Sequence, residues 1–211
     1  IGNGAQADGK AKSASGMIAI GQEVKADNNN TIAIGVKTEA TGNNGTAVGG
    51  YAKAIGTSSA AFGTQAVANG LGATAFGPGA SAGDGGTEAD GSTAVGRKAT
   101  VTAEGGTGLG WATTVSAKDG TAIGHSATAS IAGGVAIGSD SVTTAAAGVQ
   151  GYNPASDRTN KYSAQAGAIG TSTLAAVSVG NGLTATRQIT GLAAGTADTD
   201  AVNVAQLKNV N

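Results

Sequence analysis

Small apolar residues alternate with polar or glycine positions in a beat that returns every fourteen residues. A tetrad marks it: Ile18-Ala19-Ile20-Gly21, Ile32-Ala33-Ile34-Gly35, Thr46-Ala47-Val48-Gly49, Ala60-Ala61-Phe62-Gly63 and Thr74-Ala75-Phe76-Gly77. It continues through Thr93-Ala94-Val95-Gly96, Thr107-Gly108-Leu109-Gly110, Thr121-Ala122-Ile123-Gly124 and Val135-Ala136-Ile137-Gly138. Between the final glycines the spacings are 14, 14, 14, 14, 19, 14, 14 and 14. Ile1-Gly2 lies 19 before Gly21, which predicts an earlier turn with the same kind of insertion.

The columns on either side of the glycine alternate with period two, the signature of a strand. Three residues after it stand Ala52, Ala66 and Ala80, five after it Ala54, Ala68 and Ala82, and two before it Ala in every tetrad but one. Each turn is therefore expected to hold two short strands with the glycine near the corner between them. Asn44-Gly45, Ser58-Ser59, Gly105-Gly106, Asp119-Gly120 and Gly133-Gly134 mark the second corner, because such residues tolerate positive φ and tight reversals. About ten such turns, stacked at the spacing of neighbouring strands, make a rod of about 50 Å.

Composition narrows the architecture. With 3% aromatic residues and 38 glycines among 211, the chain has too few bulky side chains for a globular core. A thin slab of stacked turns fits, each turn burying its face against its neighbours. Nine residues preceding the tetrad glycines are larger: Ile20, Ile34, Val48, Phe62, Phe76, Val95, Leu109, Ile123 and Ile137. Exposed, that column would be a long apolar stripe, so it is expected to form the core of an oligomer.

A net charge of −1 offers no basic field for nucleic acid. Zero cysteines remove disulfides, thiolate nucleophiles and cysteine-type zinc sites. No signal peptide or membrane span is read, and the chain starts and stops mid-pattern, as a piece of something longer would.

Candidate chemistry is sparse. The single histidine, His125, invites comparison with trimeric hexapeptide-repeat acyltransferases, which use a histidine base, but their period is six and no partner base or cleft is apparent. The column directly after the glycine is irregular, and it places Arg97, Trp111 and His125 on consecutive turns, where they should stack about 5 Å apart. This row reads as a solvated rim stapling adjacent turns or as a binding hot spot. Tyr51, Tyr152 and Tyr162 join it as a candidate ligand-binding surface. Asp84, Glu88 and Asp90 are read as a solvated loop rather than a calcium site, since no calcium-binding nonapeptide recurs. Asn28, Asn29 and Asn30 read as a polar corner. An ice-binding array would need exposed threonine rows, whereas the threonines are expected in tetrads and corners. No metal, cofactor or catalytic residue is assigned.

After Gly138 the frame breaks. A polar excursion runs from Gly151 to Tyr162, and Val177-Ser178-Val179-Gly180 restores a tetrad, the expected closing turn. The segment from Arg187-Gln188-Ile189-Thr190-Gly191 to Asp198-Thr199-Asp200-Ala201-Val202-Asn203-Val204-Ala205-Gln206-Leu207-Lys208 resembles the neck of trimeric autotransporter adhesins. The nine tetrads in register resemble the YadA-like head of the same family. The neck is expected to open a helix with Asp198, Thr199 or Asp200 as cap, and Val204 and Leu207 have the spacing of a coiled-coil seam.

The resemblance implies an all-β, left-handed parallel β-roll, three chains around one axis, and necks that cross to neighbouring protomers, with Arg187, Ile189, Asp198, Asp200, Val204 and Leu207 as neck residues. It divides the chain into head repeats over 1–148, a polar excursion and closing turn over 149–186, and neck with the start of a coiled-coil stalk over 187–211. It implies a non-enzymatic adhesive head on a bacterial surface, anchored in the outer membrane by a barrel absent here. Its partners would be itself, host extracellular matrix, cells or abiotic surfaces, with autoagglutination as a further outcome. The other reading is a structural spacer that projects a different binding domain.

Overall fold

A computed structural model of the chain describes residues 1–8, 15–83, 89–151, 171–197 and 199–209. Each turn contributes one strand to each of two parallel sheets. The tetrads form a ten-stranded sheet: β2 (Ile18–Ile20), β4 (Ile32–Ile34), β6 (Thr46–Val48), β8 (Ala60–Phe62), β10 (Thr74–Phe76), β12 (Thr93–Val95), β14 (Thr107–Leu109), β16 (Thr121–Ile123), β18 (Val135–Ile137) and β19 (Val177–Ser178). Two-residue strands form the nine-stranded second sheet: β1 (Gln6–Ala7), β3 (Lys25–Ala26), β5 (Glu39–Ala40), β7 (Lys53–Ala54), β9 (Val67–Ala68), β11 (Ser81–Ala82), β13 (Thr100–Val101), β15 (Thr114–Val115) and β17 (Thr128–Ala129).

Register follows the repeat. Thr46 faces Ala60, and Thr74 faces Thr93 across the longer interval, so the insertion leaves the ladder in phase. The expected first turn is present: β1 pairs with β3, and Gly21 N–H donates to Ile1 C=O at 2.8 Å. The expected closing turn is present too, with Val135 opposite Val177 and Ala136 opposite Ser178.

The core is a file of methyl groups. Ala47, Ala52, Ala54, Ala61, Ala66 and Ala68 are fully buried, and the pattern repeats along the roll. Each buried methyl contributes about 0.8 kcal/mol, so stability must accumulate over turns rather than within one. Volume is conserved locally. Where Gly108 replaces the tetrad alanine, Val101 and Val115 stand at the alanine column of the second sheet. A Cβ at Gly108 would lie 3.0 Å from Val101 Cγ2, so the valine methyls fill the space that the missing methyl leaves.

Both corners use left-handed backbone. Gly63 sits at φ 128°, and a Cβ there would lie 2.7 Å from the Gly77 carbonyl carbon of the next turn. At the second corner Asn44 and Asp119 adopt φ 58° and 55°, a conformation their short polar side chains tolerate.

The large tetrad residues point away from the core. Ile20, Phe76, Leu109, Ile123 and Ile137 are exposed in the single chain, Phe76 by 56%, while Ile34, Val48, Phe62 and Val95 are half-buried. Phe62 and Phe76 pack ring to ring at 5.9 Å between centroids. The tetrad sheet therefore carries a continuous apolar outer face.

Candidate surface at the first corner and the neck

The first corner is built by three residues in succession. The tetrad glycine turns the chain, the next residue points outward, and the one after it takes positive φ, as Lys98, Ala112 and Ser126 do at 56°, 53° and 55°. Backbone bonds then fix each outward residue over the last: Ala112 N–H donates to Arg97 C=O and Ser126 N–H to Trp111 C=O, each at 2.9 Å. Side chains at this part of the row are thereby brought within reach of one another. The Arg97 guanidinium lies 5.5 Å from the Trp111 ring centroid, and the Trp111 and His125 centroids are 4.7 Å apart, tilted by 45°. Ser126 Oγ approaches His125 Nε2 at 3.3 Å. The stack predicted from the repeat is present, with Trp111 still 51% exposed.

Tyr51 belongs to the adjoining row of the same corner, where Lys37 Nζ sits 6.0 Å from its ring centroid. It stands four turns before Trp111, through the tetrads ending at Gly63, Gly77, Gly96 and Gly110, hence about 19 Å away. Tyr152 and Tyr162 lie outside the described residues, as do Asp84 and Glu88. Asp90 accepts the Leu71 N–H at 2.9 Å, which ties the longer turn to its neighbour. The three asparagines do form a polar corner laddered onto the next turn: Asn28 donates to Thr41 C=O, Asn29 N–H to Asn43 Oδ1, and Asn30 Nδ2 to Asn44 Oδ1 at 3.2 Å.

Two features escaped the sequence reading. Charges pair across one turn: Glu23 with Lys37 at 3.6 Å, Glu39 with Lys53 at 3.2 Å and Glu104 with Lys118 at 2.7 Å, while Lys25 pairs with Asp27 at 3.5 Å. Hydrogen bonding to Glu104, with its charge, raises the Lys118 pKa above its ordinary value. Searching the fourteen-residue frame for opposite charges would have found these pairs. The threonines follow expectation only in part: Thr46, Thr74, Thr93, Thr107 and Thr121 do sit in tetrads. Thr100, Thr114 and Thr128 lie in the second sheet, not in tetrads or corners, with Thr102, Ser116 and Ser130 two residues on. This is a patch of three turns, and earlier turns carry Lys25, Glu39, Lys53 and Val67 in that column.

Arg187 closes the last turns. Its guanidinium donates to Ser141 Oγ at 3.0 Å, to Ser139 Oγ at 3.1 Å, and to the carbonyls of Val179 and Ser139. It lies over Gly138, where a Cβ would meet Arg187 Cζ at 2.8 Å. The neck then enters α1 (Val204–Lys208). The cap of this helix corrects the expectation. Asn203 is the N-cap, accepting from Gln206 N–H at 3.0 Å, and the Gln206 side chain returns to Asn203 N–H at 3.2 Å. The carboxylate of Asp200 is used elsewhere, accepting from Thr196 N–H at 2.9 Å and Ala197 N–H at 3.0 Å. The Ala197 and Thr196 N–H groups hold its pKa below the ordinary carboxylate value. Asp198 is not among the described residues. Ile189, Val204 and Leu207 are 67%, 68% and 65% exposed.

Comparison with known proteins matches this geometry. Residues 26–52, 54–80, 88–113 and 116–141, together half of the chain, match the YadA head domain repeat. Residues 188–211 match the coiled stalk of trimeric autotransporter adhesin. The chain belongs to the trimeric autotransporter adhesins. Within that family it is similar to the autotransporter adhesin BadA of Bartonella henselae, 56% identical over 63 residues. That alignment covers 28% of this chain and spans 2% of the length of BadA. Among solved structures, the collagen-binding domain of the Yersinia adhesin YadA superposes with a TM-score of 0.53 at 30% identity. The match covers 92% of this chain and 81% of that one. The all-β parallel roll is thus the fold of a YadA-type adhesin head.

Proposed function

We infer that this chain is the head and neck of a homotrimeric adhesin, held on a bacterial outer surface through a membrane anchor elsewhere in the protein. It attaches cells to host extracellular matrix and acts without catalysis. The observation that carries this reading is the outer face of the tetrad sheet. Ile20, Phe76, Leu109, Ile123 and Ile137 form an exposed apolar stripe along the rod, and three copies meeting on it would cover it in a closed ring. The exposed neck residues Ile189, Val204 and Leu207 gain cover in the same assembly.

The solved relative is the collagen-binding domain of YadA, and its likeness over 92% of this chain makes collagen the first matrix protein to try. Weak contacts repeated on three faces would add up through avidity. The division into head repeats over 1–148, an excursion and closing turn over 149–186, and neck and stalk start over 187–211 belongs to the same reading.

Light scattering on the purified chain should give three protomers, and Phe76→Asp with Leu109→Asp should give one. A parent chain that stays monomeric would end the trimer reading. Binding to immobilised collagen, laminin and fibronectin tests the adhesive role. A folded trimer that holds none of them would leave the spacer reading in its place.

A further inference from the structure

Two neighbouring cations on the roll have no counter-ion among the described residues. Lys25, Lys37, Lys53 and Lys118 each hold a carboxylate at 3.5, 3.6, 3.2 and 2.7 Å. Arg97 and Lys98, side by side at the first corner, hold none among the described residues. Trp111 and His125 stand on the two turns that follow, so one straight edge of the rod presents two free positive charges and then two aromatic rings with ring N–H groups. The indole N–H has no hydrogen-bond partner among the described residues.

The stack also restricts what can bind. Arg97 comes from the turn before Trp111 and His125 from the turn after, at 5.5 and 4.7 Å, so a base stacking on the indole would have to displace one of them. A single-stranded nucleic acid would need such a displacement and many more phosphate contacts than two cations supply. A peptide adding as a strand would need free backbone groups, but those of the corner are bonded between turns, as Ala112 N–H to Arg97 C=O and Ser126 N–H to Trp111 C=O show.

We propose that this corner binds an extended anionic polysaccharide laid along the rod. Arg97 and Lys98 take its sulfate or carboxylate groups, and the ring N–H groups of Trp111 and His125 take its hydroxyls. The guanidinium fork suits a planar or tetrahedral oxyanion, and Lys98 adds a point charge beside it. The straight row of turns matches a polymer whose charges recur along its length. Asp140, in the same row as Lys98 and beyond Ser126, bounds the site with negative charge. The inference rests on the adhesin-head reading and names a ligand class for it.

The test uses the trimer of the full chain on immobilised heparin, hyaluronan and uncharged dextran, with elution by salt. The parent should be retained on heparin, more weakly on hyaluronan and not on dextran. In the Arg97→Ala/Lys98→Ala variant, heparin affinity should fall about tenfold or more, and the slope of log affinity against log salt should shrink by about two. Trp111→Ala should weaken binding by a smaller factor, and Lys118→Ala, on the opposite corner, should change it less than about twofold. Circular dichroism and light scattering on each variant should match the parent, as a folded trimer requires. Heparin affinity unchanged in the double variant overturns the proposal, as does equal retention on dextran. Equal retention of single-stranded DNA or polyglutamate through the same residues overturns the polysaccharide assignment. A trimer that binds heparin through Arg97 but holds no matrix protein would fail the matrix reading alone.

Discussion

The roll and the neck are stabilised by opposite means. In the roll, identical backbone bonds repeat at every turn and fully buried alanines fill the interior, so no single side chain decides the fold. In the neck, nothing in α1 is buried, and the chain is held by a few particular side chains: Arg187, Asp200, Asn203 and Gln206. A lattice tolerates varied surfaces, and altered spacing only where the strand returns in register. A tether made of individual bonds tolerates altered spacing but not the loss of its members.

The same substitution should therefore act differently in the two regions. Gly63→Ala must place a Cβ 2.7 Å from the backbone of the next turn at φ 128°, and we expect loss of soluble folded protein or a large fall in Tm. Gly191→Ala meets nothing within 4 Å and carries only the backbone cost of φ 71°, about 1 kcal/mol, seen as a small shift in thermal unfolding. Equal effects would mean that the close approach of successive turns is not what the glycine serves.

Arg187→Ala removes bonds to both Ser139 and Ser141, and should cost about 2–3 kcal/mol locally. Hydrogen exchange should quicken around 138–142 and 177–187 while the turns before Val95 keep their protection. Arg187→Lys should restore only part, because an ammonium cannot reproduce the fork.

Inside the lattice, Val101→Ala should cost about 1–2 kcal/mol by opening a void. Adding Gly108→Ala to that variant should recover stability, although Gly108→Ala alone is destabilising against Val101 Cγ2 at 3.0 Å. A double-mutant cycle that is additive would remove the volume-exchange account.

Asn203→Ala should cost about 1 kcal/mol of helix stability, read as lost helical signal in the stalk. The smallest effect is on pH. Because the Asp200 pKa is lowered, its contribution is present above the ordinary carboxylate value of 3.8 and disappears as pH falls through its folded value. The fully exposed setting keeps it slight. Acid titration followed by the NMR shift of the Ala197 amide should show a midpoint below 3.8, and Asp200→Asn should abolish it.

Most of the roll could be read from the chain, because a fixed period turns sequence separation into distance. Arg97, Trp111 and His125 sit fourteen apart, and their stacking follows from that alone. The apolar tetrad column was readable for the same reason. What lay hidden has no period. Arg187 reaches Ser139 across 48 residues, a contact no local pattern announces. The helix cap was assigned to the acidic run because aspartate caps well, yet Asp200 spends its carboxylate on Thr196 and Ala197. The Asn203/Gln206 spacing of a capping box was the signal that could have placed it. The threonines of the second sheet were misplaced by counting residue types rather than columns.

The in-phase pairing of Thr74 with Thr93 across nineteen residues has a consequence for how such rods change length. Insertions that return to the ladder leave every neighbour in place, so whole turns can be gained or lost by duplication without redesigning a single contact. Each such event moves everything above it by one strand spacing, about 4.8 Å, away from its point of attachment. Reach is thus a counted quantity, set in steps by copy number, while the chemistry of each corner mutates independently of it.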